Sequence, residues 1–341
     1  MERVAIVGGA GYTGRALITS ILNHPTFSLS RVGSRSQAGR PVSSAHPELR
    51  GALEMSFTGA TEAVLEGADS VFLAVNHGDG MAVVDEILSL GFEGVIVDLS
   101  ADFRLADPTT YRTWYGKEHL RPDLLEMAFY GLPEIMGAPP KDTRLVANPG
   151  CFATAISLAL YPVTRRLPEL HVAVTALTGA SGSGVTPGPG THFPDREGNV
   201  RAYNVMRHRH QAEIRQVVGA RVSLAFVPVS GPWTHGIWGT ATVRLPEGTS
   251  GETVSAWFEE AYEGWRLVRL SPGTLPELRH VERTPFCDLG WIVEERSLVV
   301  GFALDNLLKG AATQAIQNLN LLAGLADHAG LIPQARAEVP A

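Results

Sequence analysis

Hydrophobic positions in the first hundred residues fall into two alternating kinds of stretch. Arg3 to Val7 (Arg-Val-Ala-Ile-Val) is a short β-branched run, the composition of a strand buried on both faces of a parallel sheet. Leu29 to Val32, Ala68 to Val75 and Gly94 to Leu99 repeat that texture, while Arg15 to Asn23 and Met81 to Ser89 read as helices. Such strand–helix alternation predicts a doubly wound parallel sheet. From Ala153 to about Arg165 the pattern is again helical, with Ile156, Leu158, Ala159 and Leu160 as its apolar part. Beyond it the texture changes. Ala173 to Thr178, Val222 to Val229, Gly236 to Val243 and Leu298 to Leu304 are strand-like, with helical stretches at Gln211 to Val217 and Ser255 to Glu263. These predict a mixed or antiparallel sheet with helices. Asp305 to Asn320 reads as a helix dense in small residues and amides, suited to close packing on the first unit.

The chain has 341 residues, more than one hydrophobic core usually serves, so two domains are expected. The expected boundaries are 1–147, 148–305 and 306–341, the last a helix returning to the first domain, with Pro333 to Ala341 as a loose tail.

Between the first strand and helix lies Gly8-Gly9-Ala10-Gly11-Tyr12-Thr13-Gly14. Strand, glycine turn and helix together make a dinucleotide-binding unit, because glycines admit the pyrophosphate and the helix N-terminus favours its charge. The expected fold class is therefore α/β: a Rossmann sheet plus an α+β catalytic domain. Gly8, Gly11, Tyr12, Thr13 and Gly14 are candidate cofactor contacts. The spacing Gly8-x-x-Gly11-x-x-Gly14 departs from the NAD fingerprint, and the second strand ends in Ser34-Arg35-Ser36 rather than an acid. Arginine there suits a 2′-phosphate, so NADP(H) is expected over NAD(H).

Candidate chemistry gathers elsewhere. Asn148-Pro149-Gly150-Cys151 is a turn leading into a helix, where free N–H groups and the helix dipole favour a thiolate on Cys151. Asp98 to Arg104 follows a strand; its Arg104 suits a carboxylate or phosphate, and Ser100, Asn148 and Arg209 join it as candidate substrate contacts. The segment Gly179 to Gly190 is rich in Gly and Pro and reads as a binding loop, with Ser181 and Gly182 toward the cofactor. Asn306 is placed to meet the nicotinamide amide. In His208-Arg209-His210-Gln211-Ala212-Glu213, His210 and Glu213 are three apart, on one helix face. A carboxylate there fixes a tautomer and raises an imidazole pKa for acid/base work. His-x-His finds no third ligand in sequence, so no metal is expected.

Composition narrows the setting. Net charge is −7, which argues against nucleic acid as a partner. Cys151 and Cys287 are the only cysteines, too few for a disulfide framework. No apolar run approaches the length of a bilayer span. The expectation is a soluble, cytoplasmic protein without a membrane partner.

The combination resembles N-acetyl-γ-glutamyl-phosphate reductase of arginine biosynthesis, which shares a structural superfamily with aspartate-semialdehyde dehydrogenase. The resemblance covers nearly the whole chain: GGAGYTG at 8–14, DLSADFR at 98–104, YGLPE at 130–134, VANPGCFATA at 146–155, HRHQAEI at 208–214 and DNLLKGAATQAIQNLN at 305–320. It implies Cys151 as nucleophile and His210, in preference to His208, as acid/base. It also implies an acyl-phosphate substrate with phosphate as leaving group, while edge strands in the second domain point to a homodimer or homotetramer. Two departures stand out: His235 replaces the usual arginine before Gly236-Ile237, and Asn76 precedes His77 where proline is common. The rivals are the lysine-pathway reductase of a carrier-bound aminoadipate phosphate and a catalytically silent NADP-binding regulator.

Overall fold

The computed structural model describes residues 1–167 and 169–332, so the expected tail from Pro333 lies outside the described residues. Its strands run β1 (Glu2–Val7), β2 (Phe27–Gly33), β3 (Ser70–Leu73), β4 (Val95–Asp98), β5 (Ala128–Tyr130), β6 (Leu145–Ala147), β7 (Leu170–Thr178), β8 (Arg201–Ala202), β9 (Val222–Ser230), β10 (Ile237–Arg244), β11 (Val268–Pro272), β12 (Cys287–Glu294) and β13 (Ser297–Leu304). The helices used below are α1 (Tyr12–Leu22), α2 (Thr61–Leu65), α3 (Gly80–Ser89), α4 (Pro108–Tyr115), α5 (Cys151–Thr164), α6 (His210–Val218), α7 (Gly251–Tyr262) and α8 (Thr313–Leu322).

The first sheet is parallel throughout, in the order β2-β1-β3-β4-β6-β5. Its central strands have no polar face because helices cover both sides. Leu17, Ile18 and Ile21 of α1 pack on Val4, Ile6 and Phe72 together with Ala315, Ile316 and Leu319 of α8. Val83, Val84 and Ile87 of α3 and Val64 of α2 pack on Ala5, Val71 and Leu73 from the other side. The strand order reverses between β1 and β3, the switch point at whose carboxyl ends such sheets bind ligands.

The second sheet has seven strands, β11-β12-β13-β10-β7-β9-β8, with β7–β9 and β11–β12 parallel and the remaining pairs antiparallel. Strand β7 alternates buried and exposed positions. Its inward residues Val172, Val174 and Ala176 meet Phe152, Ile156 and Leu160 of α5 in one core, while small side chains such as Ala173, Thr175 and Ala225 point outward.

Two expected elements shift. Helix α5 begins at Cys151 with Gly150 as its N-cap, two residues earlier than periodicity placed it, because Cys and Phe carry no helix-start signal. The helix expected from Asp305 begins only at Thr313. The Asp305 carboxylate accepts the N–H groups of Leu307, Leu308 and Arg283, and a π-helical turn, Leu308–Ala312, follows. Such turns replace regular helix where a side chain must be aimed.

Candidate active site

The glycine loop sits at the switch point. Gly8 has φ +85°, and a Cβ there would come within 2.5 Å of the Ala74 carbonyl at the end of β3. Gly14 lies against Gly9, where a Cβ would stand 2.5 Å from the Gly9 Cα. Both are fixed by packing. Gly11 is not: it caps α1, and a Cβ there would meet open space. The helix N-terminus, opened by Tyr12 and Thr13, is thus exposed to an anion at the point where a dinucleotide phosphate binds. At the end of β2, the Ser34 and Ser36 hydroxyls lie 3.5 Å apart. Arg35 is exposed and pairs with Glu86 of α3 at 2.9 Å, a surface contact weak enough for a phosphate to displace. Across the cleft, Asn306 is fixed by its own chain. Its Nδ2 donates to Ser181 Oγ at 3.0 Å, and Gly236 N donates to its Oδ1 at 2.6 Å. Gly182 lies beside that amide.

Cys151 lines a cavity of about 440 Å³ with His77, Tyr203, His208, Arg209 and His210. His210 opens α6 and lies over the turn before the cysteine: a Cβ on Gly150 would be 2.4 Å from His210 Nε2. The His208 ring stands 4.7 Å from that of His210 and packs edge-on to Phe152 and Tyr203. Burial keeps all three histidines neutral. His77 is pushed down to about 3 by burial with Arg104 and Arg209 adding, and His208 to about 4 by burial and Arg209. Burial, then His208 and Arg104, hold His210 well below its ordinary value.

The thiolate expected from the helix start is not the resting state. Burial pushes the Cys151 thiol up to about 11, outrunning Arg104 and the Phe152 and Cys151 N–H groups that pull it down. The free site therefore pairs a neutral thiol with a neutral imidazole. At a pKa of about 11, about 10⁻⁴ of the thiol is ionised at pH 7. Iodoacetamide should accordingly alkylate Cys151 at a rate that climbs about tenfold per pH unit from 7 to 10. A plateau already reached at pH 7 would show a preformed thiolate–imidazolium pair instead.

Three candidate substrate contacts are enclosed rather than facing the cavity. Ser100 is buried and donates to Asp98 at 2.7 Å. Asn148 is buried, its Nδ2 donating to the Ala311 carbonyl at 3.1 Å. Arg104 is 5% exposed. Its Nε donates to the Asn148 carbonyl at 2.7 Å, its Nη2 to Leu99 O at 2.8 Å, and its Nη1 to Glu213 at 3.2 Å. Glu213 in turn accepts from Gly150 N at 2.9 Å and Tyr130 Oη at 3.1 Å. It makes no hydrogen bond to His210, whose Nδ1 is buried without a partner. The expected carboxylate–imidazole pair is therefore corrected: residues three apart on a helix share a face, but the turn before Cys151 captures the carboxylate. Arg104 and Glu213 grip that turn from two sides. Arg209 alone of the four faces the cavity, its guanidinium 5.4 Å from the Tyr115 ring.

Sequence periodicity missed what supports Cys151 from below. Lys309 is fully buried, bonded to Glu134 and at 2.6 Å to Gln317, and Gln314 and Asn318 both donate to the Gly131 carbonyl. This network seats the π-turn so that Gly310 touches Cys151: a Cβ there would be 2.7 Å from Cys151 Cβ. Gly310→Ala must displace Cys151 or the turn. We expect turnover to fall at least tenfold with little change in dinucleotide Kd, because a small misplacement of a reacting atom costs rate. Unaltered turnover would show that the contact relaxes freely. Among the described residues no group of His, Cys, Asp and Glu is arranged to hold a metal ion, and no helix is long and apolar enough to cross a membrane.

Two family models match the chain: the semialdehyde dehydrogenase NAD-binding domain over residues 3–142 and the semialdehyde dehydrogenase dimerisation domain over 151–306. A relative from Methanocella arvoryzae, N-acetyl-γ-glutamyl-phosphate reductase, is 40% identical over 97% of this chain and 98% of its own. One from Saccharolobus solfataricus, [LysW]-L-2-aminoadipate/[LysW]-L-glutamate phosphate reductase, is 39% identical over 96% of each. Among solved structures, aspartate semialdehyde dehydrogenase with NADP from Candida albicans superposes with a TM-score of 0.68 at 14% identity, covering 95% of this chain and 98% of the other. A parallel nucleotide sheet, a mixed second sheet with α5 on its core face, and full-length relatives at this identity converge on one conclusion: the chain belongs to the semialdehyde dehydrogenase family, in the branch that holds the N-acetyl-γ-glutamyl-phosphate reductases.

Proposed function

We propose that this protein reduces N-acetyl-γ-glutamyl phosphate to N-acetylglutamate 5-semialdehyde with NADPH, through a thioester on Cys151. The observation that carries the reading is the placement of Cys151 at the first turn of α5, with His210 Nε2 packed over the preceding Gly150. The names of full-length relatives support the substrate.

The chain's own groups account for the protons and charges. His210 takes the thiol proton at Nε2 as Cys151 attacks the acyl carbonyl; phosphate leaves and a thioester remains. The N–H groups at the start of α5 stabilise the oxyanion, and Arg209 offsets the phosphate charge. The dinucleotide, when bound, supplies hydride. Gly8, Gly11, Tyr12, Thr13 and Gly14 would hold its pyrophosphate, Ser34, Arg35 and Ser36 its 2′-phosphate, and Ser181, Gly182 and Asn306 its nicotinamide end. Collapse of the thiohemiacetal frees the aldehyde, and His210 restores the proton to Cys151.

Residues 1–147 then serve the cofactor and 148–305 the chemistry, with α8 returning to the first core. The small-residue outer face of β7 and β9 and the dimerisation-domain match support a homodimer or homotetramer, and water-soluble substrates a cytoplasmic setting.

The test is the reverse reaction: N-acetylglutamate semialdehyde, phosphate and NADP⁺, with NADPH followed by absorbance. Phosphate-dependent NADPH formation is expected. A second reading, reduction of an aminoadipyl or glutamyl phosphate borne by a carrier protein, draws on relatives named for it at 39% and 38% identity. Turnover only with the carrier-bound aldehyde would establish that reading instead.

A further inference from the structure

Two arginines that sequence reasoning passed over line the same cavity as Cys151. Arg201 opens β8, paired with Ser230 of β9, and Arg196 precedes that strand; both come against Gly190. Arg196 Nη1 donates to Ser230 Oγ at 2.6 Å and reaches Gly190 O at 3.5 Å, and its Nη2 donates to Thr178 O at 3.3 Å. Arg201 packs on the same glycine: a Cβ on Gly190 would be 2.6 Å from its Nη2.

Neither arginine has an ion-pair partner among the described residues; Asp195, next in sequence, pairs with His192. Two guanidinium groups held together without an acid repel each other. Two further atoms on this wall are buried without a partner, Arg196 Nε and Thr178 Oγ1. A wall that carries positive charge, unmet donors and no carboxylate is built for an anion that arrives from outside.

We propose that Arg196 and Arg201 form the subsite for the free carboxylate of the amino-acid substrate, the end remote from the acyl phosphate. The phosphate is bonded to the carbon that Cys151 attacks, so it lies at the thiol, among Arg209 and the histidines. The carboxylate is several bonds further along. Tyr203 lines the same cavity, near enough to the thiol and to Arg196 that both bear on its phenol. A substrate whose reacting carbonyl meets Cys151 extends past Tyr203 and places its carboxylate on the arginine pair. Planar guanidinium forks match a carboxylate in two contacts, and a hydrophobic analogue would leave them unpaired.

This assignment rests on the reductase reading, and the reverse reaction tests it because aldehyde and phosphate are varied separately. Arg201→Gln, at an exposed position, and Arg196→Gln should each raise KM for N-acetylglutamate semialdehyde about 10- to 100-fold, the span of a lost charged hydrogen bond. KM for phosphate should stay within twofold. A rise in phosphate KM alone would make the pair the phosphate site and overturn the proposal; no change in either would remove the subsite. Should the wild-type chain show no turnover, calorimetry still decides. N-acetyl-L-glutamate should bind the wild-type protein more tightly than 4-acetamidobutyrate, which lacks this carboxylate, and Arg201→Gln should abolish the difference. Equal binding of the two by the wild-type protein would overturn the proposal.

Discussion

Cys151→Ser is expected to lower phosphate-dependent NADPH formation by roughly 10³-fold or more while leaving NADP(H) binding intact. The hydroxyl is a far weaker nucleophile than a thiol that can ionise, and a serine ester is a poorer acceptor of hydride than a thioester. The side chain is small in both forms and the site is partly open, so folding should be unaffected. His210 would face the same position, so the loss would report the nucleophile rather than the base. Steady-state rates of the reverse reaction, with dinucleotide binding read by fluorescence, provide the measurement. A variant retaining more than a tenth of wild-type activity would rule out the covalent route and leave direct hydride transfer to the acyl phosphate.

Glu213→Gln should cost about 3–5 kcal/mol of stability, the typical consequence of stranding one partner of a buried pair. Glu213 is 0% and Arg104 5% exposed, so solvent cannot replace the missing charge. The carboxylate also accepts from Gly150 N and Tyr130 Oη, so the Asn148–Gly150 turn loosens and turnover falls with stability. Urea unfolding should show a lower midpoint at unchanged slope. Arg104→Met combined with Glu213→Gln should recover part of the stability, since no lone buried charge remains. Had Glu213 served to orient His210, the variant would lose rate at full stability; that outcome would reverse the structural assignment.

The two predictions separate what the sequence carried from what it hid. Hydrophobic period alone placed β1, α1, β2, β3, α3, β4 and, in the second sheet, β7, β9, β10 and β13, because each presents a face whose burial its own residues dictate. It missed the eight-residue β12, whose apolar run is interrupted by Asp288 and Gly290. It passed over β5 and β6, which are three residues each, too short for any period to register. Cys151 at a turn before a helix and the glycine loop after β1 were legible because local chain geometry creates their chemistry. The roles of Arg104, Glu213, Ser100 and Asn148 were not. Their donors and acceptors are claimed by residues up to 170 positions away, and sequence spacing cannot rank a helix neighbour against a backbone turn that arrives through space.

The same reason governs the site's electrostatics. Position at a helix start argues for a thiolate, and only the tertiary structure reveals how much water has been removed around Cys151 and its three histidines. Lys309 and Gly310 read as ordinary helix residues until packing places one in a buried network and the other against Cys151. Arg196 and Arg201 read as loop charges until the strands carrying their neighbours bring them to one wall. Sequence by itself determined the fold class and the two-sheet division and singled out the Cys151 thiol as the candidate nucleophile, all consequences of local composition. Which groups surround that atom, and which are left without partners, was decided by contacts between distant segments, because burial and hydrogen-bond competition are properties of the folded chain as a whole.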